Sequence, residues 1–388
     1  MLNFTFHNPA TIHFGKTKLP MLEGELKKRA NKILIVTGRG SIKKQGIYDQ
    51  ILKHVKNTGI AYCELQDIKP NPRLSSVQAG IELCKKEKID FILAVGGGSV
   101  IDASKAIAAG VPYNGDVWDF FKTHSGPSEA LPIGVVLTIA ATGSEMNGNT
   151  VITNAQTKEK RATSSPVLIP AFSILNPEFT FSVDAYNTAA GIADIMAHVF
   201  ENYLTPIPHA DVQDRMAEAL LKICIHYGPI VCSQPKNYDA RANIMWASSL
   251  ALNGVAGKGK ISDWVCHAIE HELSGLYDIS HGVGLAILLP HFMKEFLTSE
   301  TIVNFVNYGT RVWDIDANND SQSIAEEAIK KTRDFFSSIG LPATLHELGI
   351  SNEHFEAIMS AAIQCRGKVG HYKQLTRKNI MNILNAAL

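Results

Sequence analysis

Apolar and polar positions alternate in two different ways along this chain. In the first half, four apolar runs bounded by Gly, Pro or Asn are predicted strands: Ile33–Thr37, Ala61–Leu65, Phe91–Val95 and Ile133–Ile139. Three of them are apolar almost throughout, which is typical of parallel strands covered on both faces. Between them, apolar residues such as Ile47, Ile51 and Val55 recur at helical spacing. The pattern predicts a Rossmann-like α/β domain with a parallel sheet, and Phe4–Phe6 and Ile12–Phe14 are predicted to form a small edge hairpin.

Beyond about residue 184, apolar residues follow helix periodicity and strand signals become rare. Helices are predicted over Asp184–Leu204, Ala210–Cys232, Tyr238–Val255 and Ser262–Ser274, with further helices towards the C-terminus. Gly228-Pro229, Gly254 and Gly275 are the predicted helix stops. We therefore predict an α/β domain over residues 1–183 and an all-helical domain over residues 184–388. Because no linker is rich in Gly or Ser, the two domains are expected to pack closely around a cleft.

Composition and charge exclude several classes of protein. The chain has 388 residues and a formal net charge of zero, whereas general nucleic-acid binders carry a strongly basic face. Apolar runs such as Pro132–Ala141 and Leu285–Pro290 are too short to cross a bilayer, and no secretory signal is expected at the N-terminus. The six cysteines form no C-x-x-C pair, which suits reduced thiols. We therefore expect a cytoplasmic protein without nucleic-acid or membrane partners.

A glycine-rich turn follows the third predicted strand. Phe91–Val95 continues directly into Gly96-Gly97-Gly98-Ser99 and then into a helix that contains Asp102. Glycines allow the backbone to approach a ligand closely, and the free N–H groups of a helix start favour a pyrophosphate. Taken alone, the motif is also compatible with a tight strand–helix turn, since it matches neither standard nucleotide-binding fingerprint. A second polar turn, Thr138–Ser144, ends the next strand at the same expected sheet edge, and the two turns together favour a dinucleotide.

The turn after the first strand bears on the choice of dinucleotide. Sites that prefer NAD usually place an acidic residue near the adenosine ribose. Here the turn offers Gly38, Gly40 and Ser41 together with the cations Arg39 and Lys43. Such a turn suits a 2′-phosphate, so NADP(H) is favoured over NAD(H), with a solvated surface turn as the alternative.

The second half carries an aspartate and several histidines at metal-ligand spacing. Asp194 and His198 are four residues apart, so a helix places both side chains on one face. His267 and His271 share a helix face in the same way, and His281 is predicted in a following loop. One Asp and three His suit zinc or ferrous iron rather than calcium or magnesium. Any one of these histidines alone is more often a core or surface residue, so the hypothesis depends on the set.

One rival motif overlaps this set. The segment His267-Ala268-Ile269-Glu270-His271 matches H-x-x-E-H, the inverted zinc-peptidase signature, in which both histidines bind zinc and the glutamate is the general base. A peptidase would leave the Asp194/His198 pair and both polar turns without a role. We therefore favour an oxidoreductase and keep the peptidase as an alternative.

In order, spacing and local sequence, these motifs resemble the iron-containing alcohol dehydrogenase family, most closely its butanol dehydrogenase-like branch. The resemblance covers essentially the whole chain through Phe14-Gly15, Pro70-Asn71-Pro72, Gly96-Gly97-Gly98-Ser99-Val100-Ile101-Asp102, Thr142-Gly143-Ser144-Glu145-Met146, Gly191–Glu201, His267-x-x-x-His271, His281-Gly282-x-Gly284 and Leu375–Leu388. It implies a dehydroquinate synthase-like fold, and an enzyme that transfers hydride between NAD(P)(H) and a small primary alcohol or aldehyde. It also implies bound iron or zinc and a homodimer.

The resemblance implies roles for individual residues. The family's metal ligands fall on Asp194, His198, His267 and His281. His271 would lie beside the metal without binding it. It is our candidate for passing the proton to solvent, with an orienting group or a pocket wall as the alternative. The family's cofactor contacts fall on Gly38, Ser41, Asn71, Gly97, Gly98, Ser99, Asp102, Thr138, Thr142, Asn149 and Lys160.

This chain departs from the family pattern at two positions. Many members that use NAD carry an Asp near Gly38, and its absence here again favours NADP(H). Asn176-Pro177 stands where many members have Asp-Pro. Two further alternatives remain: a lyase resembling dehydroquinate synthase, and a non-catalytic nucleotide- or metal-binding protein. The lyase would need a strongly basic pocket and a Glu among its metal ligands, where this chain has Asp194.

Overall fold

The computed structural model describes residues 1–123, 125–205, 207–366 and 375–388, and the chain forms two compact units. The first, called here the α/β unit, comprises His7–Val183 and Lys236–Ser249. The second, called the helical unit, comprises Met1–Phe6, Asp184–Pro235 and Leu250–Leu388. None of the helices described is both long and apolar enough to cross a membrane.

The α/β unit is built on a parallel sheet. Its strands are β1 (Thr11–Phe14), β2 (Lys32–Gly38), β3 (Ala61–Ile68), β4 (Phe91–Gly96), β5 (Ile133–Leu137) and β8 (Phe172–Leu175), and a separate antiparallel pair is formed by β6 (Asn149–Asn154) and β7 (Glu159–Ser164). The order in the sheet is β1-β8-β5-β4-β2-β3, and all neighbours are parallel. This arrangement confirms the predicted fold class and the four predicted strands, although β5 ends two residues earlier than Ile139.

Helices cover both faces of this sheet. They are α1 (Met21–Arg29), α2 (Ser41–Lys44), α3 (Ile47–Thr58), α4 (Leu74–Glu87), α5 (Gly98–Gly110) and α6 (Asp119–Lys122). Ile33 and Ile35 of β2 join the core formed with α1 and α3, whereas Leu34 and Val36 join the core formed with α4 and α5. Because β2 is covered on both sides, its sequence is a continuous apolar run rather than an alternating one.

The predicted hairpin at the sheet edge is wrong. β1 pairs in parallel with β8, with Thr11 opposite Phe172, and residues 1–10 contain no regular secondary structure. The side chain of Asn8 accepts from the N–H of Ala10 and donates to the carbonyl oxygen of Met146 at 2.8 Å. The segment before β1 is therefore bound to a distant part of the α/β unit instead of folding back on β1.

The helical unit is built from long helices, and one further helix, α9 (Tyr238–Leu252), belongs partly to each unit. Its helices are α7 (Ala185–Tyr203), α8 (Asp211–Ser233), α10 (Val265–Tyr277), α11 (His281–Phe296), α12 (Ile302–Val312), α13 (Ser321–Ser338), α14 (Phe355–Arg366) and α15 (Arg377–Ala386). Most of α9 belongs to the α/β unit, where Met245 enters the core.

Two predicted helix stops are wrong, because Gly228-Pro229 lies inside α8 and Gly275 inside α10. A Cβ at Gly228 would come within 3.0 Å of the Phe335 ring, so this glycine allows close helix packing and does not end the helix. Helix α10 ends instead at Tyr277, and its C-cap residue Asp278 takes the left-handed conformation with φ +54°.

The unexplained Asn176-Pro177 step has a simple local role. Asn176 is the N-cap of the short 3₁₀ helix Pro177–Thr180, and its side-chain oxygen accepts from the N–H of Glu178 at 3.0 Å. Asn and Asp are about equally good N-cap residues, so Asn176 can cap this helix as well as an Asp would.

Candidate metal centre and dinucleotide turns

Helix α7 carries the first two predicted metal ligands. The side chain of Asp184 caps its start by accepting from the N–H of Asn187 at 2.8 Å, and all residues from Thr188 to Tyr203 are buried. Asp194 and His198 lie one turn apart, and Nε2 of His198 is 3.4 Å from Oδ1 of Asp194. The four-residue spacing places them together, as expected for one helix face.

Two histidines from other helices point to the same carboxylate oxygen. Nε2 of His267, on α10, is 3.9 Å from Oδ1 of Asp194, and Nε2 of His281, the first residue of α11, is 3.6 Å from it. The structure therefore brings together all four residues that the resemblance marks as ligands. We call this group the Asp194 cluster: Asp194, His198, His267 and His281.

Polar atoms at the centre of the Asp194 cluster lack hydrogen bonds. Among the residues described, Oδ1 of Asp194 and Nε2 of His267 are buried and have no hydrogen-bond partner. Leaving a buried polar atom unpaired costs about 1–3 kcal/mol, so such atoms mark a place where a further group binds. Three imidazole nitrogens and one carboxylate oxygen are the donor set of zinc and ferrous iron, so these residues fit such an ion.

Burial sets the protonation of His198. It lowers the pKa of this imidazole to about 3, the nearby Asp194 carboxylate opposes that change, and the His267 and His281 rings lower the pKa further. His198 is therefore neutral at physiological pH, as a metal-binding imidazole must be.

Two buried glutamates contact histidines of this site, where Glu201 was not expected and Glu270 was considered only as the general base of the peptidase alternative. Nδ1 of His267 is hydrogen-bonded to Glu201, and Nδ1 of His281 is hydrogen-bonded to Glu270. A carboxylate can only accept, so each Nδ1 carries the hydrogen and each Nε2 is the unprotonated ring nitrogen. The only sequence signal was the spacing H-x-x-E, which occurs at His198 and again at His267.

The glycines after His281 are required by close packing. A Cβ at Gly282 would collide with the carbonyl oxygen of Ala190 on α7, and a Cβ at Gly284 would lie 2.9 Å from Cγ and Oε1 of Glu270. Gly282 therefore lets α11 approach α7 next to Asp194, and Gly284 leaves room for the carboxylate that binds His281.

His271 lies beside the Asp194 cluster. It is buried, and its ring centroid is 5.4 Å from that of His281 and 6.3 Å from that of His267. Two sets of possible ligand atoms converge among the described residues: Asp194, His267 and His281, and Glu270, His271 and His281. His267 and His271 do not share a set, which argues against the inverted zinc-peptidase arrangement.

In the α/β unit, the glycine-rich turn after β4 and the polar turn Thr138–Ser144 after β5, both predicted to bind a dinucleotide, are neighbours. Gly96 at the end of β4 pairs with Leu137 at the end of β5, so both turns leave the same edge of the sheet. A Cβ at Gly97 would collide with the side chain of Ile139, and a Cβ at Gly98 would lie 2.6 Å from Thr142. No side chain caps the start of α5, so its first N–H groups face this turn without a side-chain acceptor.

A buried lysine that was not assigned a role orders the second turn. Lys105 on α5 is fully buried, and its Nζ donates to Oγ of Ser144 at 2.7 Å and to the carbonyl oxygens of Asn147 and Asn149, each at 2.8 Å. Burial lowers the pKa of Lys105 to about 8, while the nearby acidic groups oppose that change. Lys105 therefore ties α5 to the segment 144–149 that starts the β6–β7 pair.

The remaining predicted cofactor residues lie around these turns. Asp102 is buried, and its carboxylate accepts from Oγ of Ser144 at 2.7 Å and from the N–H of Val151 at 3.0 Å, so it stabilises the same segment from within. The others are placed as follows: Gly38 at the end of β2, Asn71 in the loop after β3 with φ +49°, Ser99 in the first turn of α5, Thr138 directly after β5, Asn149 at the start of β6 and Lys160 on β7. The side chain of Ser41 lies outside the described part of the structure.

Comparison with known proteins agrees with this architecture. Residues 9–177 match the model of the iron-containing alcohol dehydrogenase family, and residues 188–388 match the C-terminal model of the Fe-containing alcohol dehydrogenase family. The chain is 47% identical over 384 residues to NADH-dependent butanol dehydrogenase A of Clostridium acetobutylicum, covering 99% of both chains. It is 38% identical over 362 residues to the NADPH-dependent aldehyde reductase YqhD of Escherichia coli, covering 92% of both.

Solved structures agree as well. The crystal structure of NADH-dependent butanol dehydrogenase A from Thermotoga maritima superposes with a TM-score of 0.96 at 38% identity, covering 100% of this chain and 99% of that one. Fold and site thus define a metal-dependent, NAD(P)-linked alcohol dehydrogenase. The chain belongs to the iron-containing alcohol dehydrogenase family. This confirms the predicted family and enzyme class, and the lyase, peptidase and non-catalytic alternatives are set aside.

Proposed function

We propose that this dehydrogenase interconverts small primary alcohols and aldehydes, with butanol and butanal as representative substrates. The observation that carries the proposal is the convergence of three imidazole Nε2 atoms on Oδ1 of Asp194, at 3.4, 3.6 and 3.9 Å, in a buried site. The named activities of the butanol dehydrogenase of C. acetobutylicum and the aldehyde reductase of E. coli support the same substrate class.

The proposed metal ligands are the four residues of the Asp194 cluster. When bound, a divalent iron or zinc ion supplies Lewis-acid polarisation of the substrate oxygen. The three histidines contribute imidazole nitrogens, and Asp194 contributes the one carboxylate. His271, buried beside His281, is the proposed group that takes up the proton released when an alcohol is oxidised.

The proposed dinucleotide site uses the turns of the α/β unit. Backbone N–H groups of the Gly97–Ser99 turn and the start of α5 bind the pyrophosphate, because a helix start favours negative charge. The adenosine side is assigned to Gly38, Ser41 and Asn71. The other proposed contacts are Gly98, Asp102, Thr138, Thr142, Asn149 and Lys160.

We further propose that NADP(H) is preferred over NAD(H). No carboxylate follows β2 at Gly38, where Arg39 and Lys43 supply positive charge instead. Named relatives include both types, since the C. acetobutylicum enzyme is NADH-dependent and the E. coli enzyme NADPH-dependent.

Replacing Gly38 by Asp should reverse this preference. A Cβ at Gly38 would meet Ile68 O and Val100 Cγ2, both at 3.6 Å, which is ordinary van der Waals contact, so a Cβ is tolerated there. We expect kcat/KM with NADPH to fall by about 10–100-fold, since a like-charge contact costs a few kcal/mol at most, while NADH is used as well or better. Gly38→Ala is the matched control and should keep the NADPH preference. If wild type already prefers NADH, the proposal is wrong.

The function as a whole is tested by metal analysis combined with substrate assays. The purified enzyme should contain iron or zinc, and it should oxidise NADPH or NADH when short aldehydes are added. Removal of the metal with a chelator should abolish that activity, and reloading should restore it. A metal-loaded enzyme that reduces no short aldehyde with either dinucleotide would contradict the proposal.

Location and assembly are also proposed. A cytoplasmic location is supported by the free thiols of the cysteines described: Cys63, Cys84, Cys224, Cys232 and Cys266. The homodimer is supported by the family resemblance, and sedimentation of the purified enzyme tests it.

A further inference from the structure

Glu201 links the helix that carries Asp194 to the helix that carries His267. It lies on α7, is fully buried, and accepts from the backbone N–H groups of Cys266 at 2.7 Å and His267 at 3.3 Å. Helix α10 starts at Val265, and its N-cap residue Trp264 provides no side-chain acceptor. Glu201 therefore caps α10 from another helix, and the same carboxylate binds Nδ1 of His267.

Glu270 makes the corresponding link to the next helix. It lies on α10, is fully buried, and accepts from Nδ1 of His281, the first residue of α11, and from Oγ of Ser274. Gly284 on α11 leaves the space that this carboxylate occupies. The interaction therefore joins α10 to α11 directly behind the imidazole of His281.

The two glutamate–histidine interactions share one sequence spacing. Each glutamate stands three residues after one histidine of the Asp194 cluster, in His198-x-x-Glu201 and His267-x-x-Glu270, and each binds the next cluster histidine along the chain. A helix presents residues three apart on the same side, so each histidine and its glutamate reach the same region from one helix. The glutamate of the H-x-x-E-H segment thus has a structural partner in His281.

We propose that Glu201 and Glu270 are positioning residues that hold His267 and His281 with Nε2 towards Asp194 and thereby increase the affinity of the Asp194 cluster for its divalent cation. This inference rests on the proposed ligand set. Each carboxylate fixes the Nδ1–H tautomer and the ring orientation, so neither imidazole must be reoriented when the ion binds.

The test measures Co²⁺ binding to the full-length enzyme after its metal has been removed. Co²⁺ affinity is obtained by chelator competition, and the visible absorption of bound Co²⁺ reports the ligand geometry. We expect Glu270→Leu to weaken binding about 10–100-fold, because loss of such a partner usually has this effect on metal affinity. Glu270→Gln keeps an acceptor without the charge and should lose less. Glu201→Gln should behave like Glu270→Gln.

Glu218→Gln is the matched control. Glu218 is also a buried glutamate of the helical unit, but it accepts from Tyr203, Arg215 and Arg311, and none of these three belongs to the Asp194 cluster. Its replacement should leave Co²⁺ affinity and the absorption spectrum unchanged. Glu201→Leu removes the cap of α10 and can unfold the protein, so it is not used. The Glu270 variants and Glu201→Gln test whether the two glutamates increase the metal affinity.

His281→Ala separates failure of this inference from failure of the proposed ligand set. If His281→Ala loses Co²⁺ and Glu270→Leu binds it as wild type does, the inference is overturned and the ligand set survives. If His281→Ala itself binds Co²⁺ normally, the ligand set is wrong. A Glu270→Leu variant that melts at a lower temperature but binds Co²⁺ with unchanged affinity and spectrum would show a merely structural role and overturn the inference.

Discussion

Replacing Asp194 by Asn is expected to lower kcat/KM for butanal reduction by about three orders of magnitude. Oδ1 of Asp194 is the atom that the Nε2 atoms of all three cluster histidines face, and it has no hydrogen-bond partner among the residues described. A metal ion contributes several kcal/mol to transition-state stabilisation, and about 1.4 kcal/mol corresponds to tenfold in rate. Steady-state rates and metal content of the purified variant measure the effect.

His281→Ala should cause a loss of similar size, because it removes another of the four proposed donors. His226→Ala is the matched control: His226 is exposed on α8, outside the cluster, and its replacement should change neither metal content nor rate. An Asp194→Asn enzyme with full metal content and nearly normal kcat/KM would show that the ion binds elsewhere.

The second large effect is expected in the α/β unit. Replacing Lys105 by Met should lower the free energy of unfolding by about 3–5 kcal/mol, because each buried polar atom that loses its hydrogen-bond partner costs about 1–3 kcal/mol. The change removes the donor to Ser144, Asn147 and Asn149 and leaves the buried carboxylate of Asp102 without its nearby cation. Urea unfolding followed by circular dichroism measures the loss.

A second measurement tests what Lys105 does for the dinucleotide turns. Because Lys105 orders the segment that contains Asn149, the variant should also bind NADPH more weakly when titrated under conditions where it is folded. Lys53→Met is the control, since Lys53 is exposed on α3 and should change neither quantity. Unchanged stability in Lys105→Met would contradict the assigned role.

Much of the α/β unit could be predicted, because a strand that is buried on both faces is a continuous apolar run in the sequence. Every residue of β4 and β5 is buried, and both segments are uninterrupted apolar runs in the sequence. β1 and β8 could not be paired in the same way. Thr11 lies opposite Phe172, and nothing in either short segment specifies a partner so far along the chain.

The metal centre, too, was partly predictable from local sequence and partly not. Asp194 and His198 were recognisable together because a helix brings residues four apart onto one face. The donor types of the set predicted that later histidines join that pair, and the family resemblance assigned His267 and His281, but not His271, as ligands. The histidine partners of Glu201 and Glu270 were not predicted, because the sequence does not show which helix packs against a glutamate or whether that glutamate is buried.

The sequence by itself determined which segments are strands or helices, which residues share a helix face, and the family to which the chain belongs. Local periodicity and composition carry that information, since each element needs an apolar face and suitable ends. Only the tertiary structure decided which buried polar groups are paired, as with Lys105 and the segment 144–149 or Glu270 and His281. The physical reason is that a buried charge must find its partner wherever packing brings one, and that partner lies on another element of the fold.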